Sequence, residues 1–201
     1  MYFVSVIMPY FKKKEYVEKS ILSVINQTYK NLELIIIYDD ESMEDYEFIL
    51  NICKKFKNIK IIKNIKNLGA GESRNIGIKS ATGDLVAFID ADDYWYKEKL
   101  DKQIKFLQKN NYKFIFFNYI KKSRNSEKEI ICKKKYLNYS SLLKSCDIGL
   151  STVLIETNLI KENLFPNLKT KEDYVLWLKL SKRSHKFYGI DKKLVSWRYT
   201  P

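Results

Sequence analysis

The stretch Gly83-Asp84-Leu85-Val86-Ala87-Phe88-Ile89-Asp90-Ala91-Asp92-Asp93 decides how the chain is read. A short continuous apolar run, Leu85 to Ile89, follows Thr82-Gly83 and ends in three carboxylates within four positions. Such a run reads as a parallel strand buried on both faces. Acids at the carboxyl end of such a strand sit where open α/β sheets place their ligands. If the chain stays extended, Asp90 and Asp92 project to the same side. Converging carboxylates repel one another unless a hard cation lies between them. Mg²⁺ or Mn²⁺ held by one or two carboxylates and by substrate phosphates meets that need. The competing reading is an acidic turn that caps a helix starting near Lys97.

Upstream, the pattern repeats. Phe3 to Met8 is a strand-type run ended by Pro9, and Glu15 to Gln27 carries Val17, Ile21, Val24 and Ile25 at helical spacing. Leu32 to Tyr38 is a second buried strand, ending in Asp39-Asp40-Glu41. Ser42 then opens a helix, with Asp45 as a capping-box partner. Ile59 to Ile62 is a third strand. Asn67-Leu68-Gly69-Ala70-Gly71 is a turn, and a helix through Arg74 to Ser80 follows. Alternating strands and helices predict a doubly wound, mostly parallel α/β sheet. Right-handed crossovers bring the carboxyl ends of its strands to one rim. Asp39, Asp40, the Asn67 turn, Asp90 and Asp92 are therefore expected to meet.

Downstream, Lys97 to Asn110 reads as a helix and Phe114 to Tyr119 as a strand. Ser123 to Glu129 reads as a polar loop and Ile130 to Tyr136 as an edge strand. Tyr139 to Ser145 is a short helix, Ser151 to Glu156 a strand and Glu172 to Arg183 a helix. Lys186 to Ile190 and Leu194 to Arg198 are two closing strands. No linker or repeat interrupts the 201 residues, so one domain is expected. Residues 1–96 form its nucleotide-binding half and residues 97–201 a mixed half.

Apolar residues make up 45% of the chain, which fits a globular protein with a real core. Cys53, Cys132 and Cys146 lie at no metal-like spacing and read as reduced thiols of a cytoplasmic protein. The start lacks a basic leader, and no apolar run approaches a membrane span. The net charge of +13 attracts polyanions, and Lys12-Lys13-Lys14 and Lys133-Lys134-Lys135 are its most patch-like clusters. A solvated face explains most of this charge, with an anionic membrane surface as a further partner. No nucleic-acid motif accompanies it, and the acidic rim would repel phosphate without a metal.

Each candidate residue has a plain structural explanation beside the functional one. Asp39 either accepts hydrogen bonds from a ribose or base, or caps a helix. Arg74, just inside a helix after a glycine turn, can grip phosphate as a fork or pair with Glu72 or Asp84. Glu172 and Asp173 open the last helix, where the dipole favours acids. A carboxylate held ionised there and facing the acidic rim also suits a general base. Trp177 shapes a sugar pocket or fills the core. His185, the only histidine, reads as a surface residue.

Taken together, the motifs resemble family 2 glycosyltransferases, nucleotide-sugar-dependent enzymes with the Rossmann-like GT-A fold. The matching pieces run in the family's order. They are Val4-Ser5-Val6-Ile7-Met8-Pro9, Ser23-Val24-Ile25-Asn26-Gln27-Thr28-Tyr29 and Ile35-Ile36-Ile37-Tyr38-Asp39-Asp40-Glu41-Ser42. Asn67-Leu68-Gly69, Ser73-Arg74-Asn75-Ile76-Gly77, the Thr82 to Asp93 stretch and Glu172-Asp173-Tyr174-Val175-Leu176-Trp177 complete the set.

By position, the resemblance implies that Pro9 and Tyr10 line the nucleotide pocket and that Asp39 contacts the uracil or ribose. Arg74 would lie near the base and diphosphate, Asp90 would contact the nucleotide, Asn67 and Ala91 would be substrate-binding, and Asp92 would hold Mn²⁺ or Mg²⁺. Asp173 would be the base, with Glu172 and Trp177 beside the substrate. The implied activity is inverting transfer from a UDP-sugar to a polysaccharide or lipid-linked oligosaccharide, at the inner face of the plasma membrane.

The resemblance departs at Glu41, where glycine is common, and at Phe11, where a polar residue is common. It departs again after Trp197-Arg198-Tyr199-Thr200-Pro201, where relatives usually continue into more helix. The rival readings are a non-catalytic nucleotide- or glycan-binding module and a nucleotidyltransferase. The second would keep a glycine- and arginine-rich loop after the first strand, which Pro9-Tyr10-Phe11-Lys12 is not.

Overall fold

The computed structural model describes residues 1–110, 112–132, 134–183 and 186–198. His185 and Lys133 therefore lie outside the described residues. The first half alternates as expected: β1 (Val4–Tyr10), α1 (Lys14–Ile25), β2 (Leu32–Tyr38), α2 (Met43–Cys53), β3 (Ile59–Lys63), α3 (Ala70–Ser80) and β4 (Leu85–Phe88). The second half runs β5 (Tyr94–Trp95), α4 (Lys99–Asn110), β6 (Phe114–Lys122), β7 (Glu127–Ile130), β8 (Tyr136–Leu137) and α5 (Tyr139–Leu142). A 3₁₀ turn at Leu150–Thr152, β9 (Leu154–Glu156), α6 (Thr157–Lys161), α7 (Glu172–Lys182) and β10 (Phe187–Arg198) complete it.

Among the described residues all ten strands join one sheet, whose main path is β3-β2-β1-β4-β9-β6-β10-β5. β3, β2, β1 and β4 are parallel. β9 is antiparallel to both β4 and β6, and β10 is parallel to β6. β1, β2, β3, β4, β6 and β10 therefore all point their carboxyl ends to one edge, and the two halves share a continuous sheet.

Strand alternation divides the core cleanly. Val4, Val6, Met8, Leu34, Ile36, Leu85 and Ala87 face α1, α2 and α4, whereas Ile7, Ile35, Ile37, Val86 and Phe88 face α3, α6 and α7. Both faces of the parallel strands are covered, which is why they read as unbroken apolar runs. Each such Ile or Val contributes roughly 1.5–3 kcal/mol by leaving water. Helix α2 starts as expected: Ser42 Oγ accepts from the Asp45 N–H at 3.2 Å. The Asp45 carboxylate does not complete a capping box. It takes the Tyr10 hydroxyl at 2.5 Å and the Lys14 ammonium at 3.3 Å instead.

Several boundaries differ from expectation. β1 does not stop at Pro9. The Ile7 carbonyl bonds the Ile89 N–H on the β4 side, so by alternation the Pro9 nitrogen also faces that side, beyond the end of β4. Its missing N–H leaves no ladder bond unmade. The two closing strands are one, β10, bent by register shifts between Ile190 and Ser196. The expected loop at 123–129 contributes β7, and the expected edge strand at 130–136 shrinks to β8. Residues 151–153 form a 3₁₀ turn and its exit before the short β9.

Candidate active site

The rim holds two adjoining clefts. The first has a volume of about 410 Å³ and is lined by Pro9, Tyr10, Asp39, Asn67, Arg74, Asp90, Ala91 and Asp92, with Phe11, Lys13, Gly69 and Ala70. Every nucleotide-site residue expected from sequence thus comes together, from the ends of β1, β2 and β4 and the start of α3. The second cleft, about 280 Å³, contains Glu172, Asp173, Lys171, Tyr119, Trp197, Ser151 and Gly149, and shares Arg74 and Asp90 with the first. A further cavity of about 410 Å³ lies at the opposite edge, around Thr82, Asp84, Lys113 and Glu156, and shares no residue with either.

Asp39 is 2% exposed. One carboxylate oxygen accepts from Asn64 Nδ2 at 2.7 Å and the Leu68 N–H at 2.8 Å. The other accepts from the Gly69 N–H at 2.8 Å and Asn67 Nδ2 at 3.3 Å, while Asn67 Nδ2 also reaches the Asp39 carbonyl at 2.8 Å. Asp39 thereby fixes the turn into α3, where Gly69 adopts φ +83°. Asp40 folds the neighbouring loop, accepting from the backbone N–H groups of Lys12 and Glu41. The Tyr10 ring is turned into the core and stacks on Tyr38 at 5.1 Å.

Arg74 pairs with neither Glu72 nor Asp84. It is buried, and its guanidinium donates through Nη2 to Asp90 Oδ1 at 2.8 Å and through Nη1 to Glu172 Oε1 at 2.6 Å. Burial works against its charge, but the carboxylates of Asp90 and Glu172 outweigh it and hold the group above its ordinary value. Its Nε is buried without a hydrogen-bond partner among the described residues. Arg74 is the common wall of the two clefts and ties the acidic rim to the start of α7.

The three acids after β4 have separate surroundings. Asp90 faces Arg74 and remains partly exposed. Asp92 lies 3.0 Å from the Lys13 ammonium. Asp93 is 1% exposed and is not the cap of α4, which begins six residues later. It accepts from Ser151 Oγ at 2.5 Å and from the Arg198 N–H at 2.9 Å, pinning the 3₁₀ turn and the end of β10 to the rim. Burial, reinforced by Asp90, pushes its carboxyl well above the ordinary range.

Asp173 lies in the first turn of α7, after Lys171 in a left-handed conformation (φ 61°). The N–H of Tyr174 donates to it at 2.7 Å. Its helix-start position does not lower its pKa. Burial dominates and raises it, against the pull of that N–H and of Arg74. A carboxylate with a raised pKa is a stronger proton acceptor than an ordinary aspartate. Trp177, expected beside the substrate, is fully buried among Phe114, Phe165 and Phe187, so its contribution is packing.

Sequence reading did not assign roles to Lys13, Tyr119, Trp197 and Arg198. Lys13 stood out only as part of a basic cluster. The others reach the rim through pairings of β9, β6 and β10 that local pattern does not encode.

Among the described residues, no helix is long and apolar enough to cross a membrane. The sequence profile described as glycosyl transferase family 2 matches residues 5–160. The chain is 38% identical over 181 residues to the UDP-Glc:alpha-D-GlcNAc-diphosphoundecaprenol beta-1,3-glucosyltransferase WfgD of Escherichia coli, covering 90% of this chain and 70% of that one. It is 38% identical over 203 residues to a glycosyltransferase of Rickettsia felis, covering 95% of this chain but only 32% of that longer protein. The fold matches Staphylococcus aureus TarS (residues 1–349, in complex with UDP) with a TM-score of 0.83 at 24% identity, over 99% of this chain and 61% of that one. The mostly parallel sheet flanked by helices is the GT-A fold, and the chain belongs to glycosyl transferase family 2.

Proposed function

We propose that the chain is the catalytic domain of an inverting glycosyltransferase that moves a sugar from a UDP-linked donor to a lipid-linked or polysaccharide acceptor. The observation that carries this reading is the sharing of Arg74 and Asp90 by two clefts, one with the nucleotide-type rim and one with Asp173. A donor bridging them would bring its anomeric carbon close to that carboxylate. The acceptor hydroxyl attacks this carbon, its proton passes to Asp173, and the bond to the nucleotide diphosphate breaks with its electron pair on the leaving oxygen. The name of the E. coli relative supports the UDP donor and the diphospholipid acceptor. The UDP complex of TarS accords with a nucleotide at this rim. In this reading residues 1–96 serve the donor and residues 97–201 the acceptor.

A divalent metal fits the donor set. Among the described residues, no group of three or more metal-binding side chains forms a protein cage. One or two carboxylates completed by substrate phosphates is the arrangement Mn²⁺ or Mg²⁺ accepts. Asp92 already directs a carboxylate oxygen at a point cation, the Lys13 ammonium. Bound between Asp92 and the diphosphate, the metal would offset charge developing on the leaving group. With a net charge of +13, the surface favours an acceptor presented on an anionic bilayer and peripheral attachment at the membrane's inner face.

The test is calorimetric titration of UDP with and without Mn²⁺, followed by transfer from UDP-glucose to a GlcNAc-diphospholipid. Metal-dependent UDP binding and product formation are expected. Nucleotide binding without hydrolysis or transfer would replace this reading with a binding module.

A further inference from the structure

We infer that Tyr119 and Trp197 form the platform on which a pyranose ring of the acceptor stacks, and that this corner sets acceptor specificity. The inference rests on the reading of the second cleft as the acceptor side and deepens it.

The corner follows from strand pairing. β6 and β10 are parallel neighbours, with Trp197 opposite Lys121. Tyr119, two residues before Lys121, therefore lies on the same face and diagonal to Trp197. The two rings stand at 87° with centroids 6.4 Å apart, edge to face. Gly149 supports one side: a Cβ there would lie 3.0 Å from Tyr119 Cε1, so the bare backbone lets the ring seat against it. The other two tryptophans, Trp95 and Trp177, are 0% exposed, whereas Trp197 is half-buried and opens on the cleft with Asp173.

The chemistry of the walls suits a sugar. Tyr119 and Trp197 contribute aromatic side chains to the cleft lining, while Arg74, Asp90, Glu172 and Asp173 bring charges. A pyranose has the same division: an apolar C–H face and a rim of hydroxyls. The face of an aromatic ring carries negative charge, and the C–H edges of a sugar carry weak positive charge. The Lys121 ammonium, 4.9 Å from the centre of the Trp197 ring, already exploits that attraction. At about 280 Å³ the cleft has room for one pyranose ring. With its apolar face on Trp197, the sugar turns its hydroxyls toward Asp173.

Steady-state kinetics with UDP-glucose and a GlcNAc-diphospholipid acceptor test the platform. Trp197→Ala is expected to raise the acceptor KM at least tenfold, and Trp197→Phe by less than threefold, with the donor KM shifting by less than threefold in both. Gly149→Ala, which pushes the Tyr119 ring aside, is expected to raise the acceptor KM several-fold.

Saturation-transfer NMR with methyl α-N-acetylglucosaminide gives a readout without turnover. The sugar C–H signals should appear with the wild type and vanish in a folded Trp197→Ala variant. If Trp197→Ala misfolds, Trp197→His and Gly149→Ala carry the test. Normal transfer with an acceptor KM unchanged in Trp197→Ala, or with NMR signals that persist, overturns the platform and leaves the transferase reading standing. Absence of turnover in the wild type, with Trp197-dependent NMR signals, overturns the transferase reading and leaves the platform standing.

Discussion

Replacing Arg74 with methionine tests the claim that one guanidinium holds the two clefts together. Methionine keeps most of the side-chain length and its contact with Phe165, over which the guanidinium lies at 5.6 Å. What it removes are the bonds to Glu172 at 2.6 Å and Asp90 at 2.8 Å. The Asp90 side chain is 30% exposed, so water screens its loss. The Glu172 side chain is only 12% exposed and is left as a buried carboxylate without its partner. Breaking a buried pair this way costs about 3–5 kcal/mol, and the partial exposure of Asp90 favours the lower end.

For a chain of this size, a loss of about 3 kcal/mol lowers Tm by about 6–12 °C. The assay is thermal melting followed by circular dichroism, on Arg74→Met and on the double variant Arg74→Met/Glu172→Met. The double variant should recover at least half the loss, because apolar side chains can replace a buried ion pair at little cost. A fall of less than 2 °C in the single variant refutes the reasoning. So does a double variant no more stable than the single one.

Other outcomes follow from individual side chains. Lys99 is fully buried, with its Nζ unpartnered 3.6 Å over the Trp95 ring, and burial holds its pKa well below the ordinary value. The unfolded chain therefore binds the proton more readily, and wild-type stability should rise as pH climbs toward about 10. Lys99→Met should raise the urea midpoint at pH 7 by the equivalent of about 1–3 kcal/mol and remove that rise. Asp173→Asn should abolish transfer while sparing UDP affinity. In the wild type, rate should fall with decreasing pH through a pKa above the ordinary aspartate value of about 4, because burial raises this carboxyl. Asp92→Asn should remove the Mn²⁺ dependence of UDP binding in calorimetry, with Tm within about 2 °C of wild type. Gly69→Ala forces a side chain onto φ +83°, at about 1–2 kcal/mol, and should weaken UDP binding by loosening the turn that Asp39 holds.

The parallel half was legible in the sequence because β1, β2 and β4 are buried on both faces and β2 and β4 end in acids. Asp39, Asp90 and Asp92 could be placed on one rim from topology alone, since right-handed crossovers leave little choice. What their carboxylates touch was not legible. Asp39 spends its acceptors on Asn64, Leu68, Gly69 and Asn67, and Arg74 finds Glu172, 98 residues away. Such partners depend on packing between distant elements. Trp177 shows the same limit in reverse: the α7 pattern gave both an acid-bearing start and an apolar face, and only the fold shows that the tryptophan belongs to the face. β10 was divided because Asp191-Lys192-Lys193 interrupts its apolar pattern, where the strand instead changes register.

The antiparallel course of β9 beside β4 has a practical consequence. Leu154 lies opposite Ala87, so the segment entering β9 arrives where β4 ends. Ser151 on that segment touches Asp90 and Asp93, yet the segment belongs to neither the β1–β4 ladder nor the turn that Asp39 holds. Residues 143–147, between α5 and the buried Ile148, can therefore be exchanged or lengthened as a cassette. Grafting this cassette between relatives alters the approach to the second cleft, whose wall begins at Ile148, while the β1–β4 ladder and the turn that Asp39 holds stay in place.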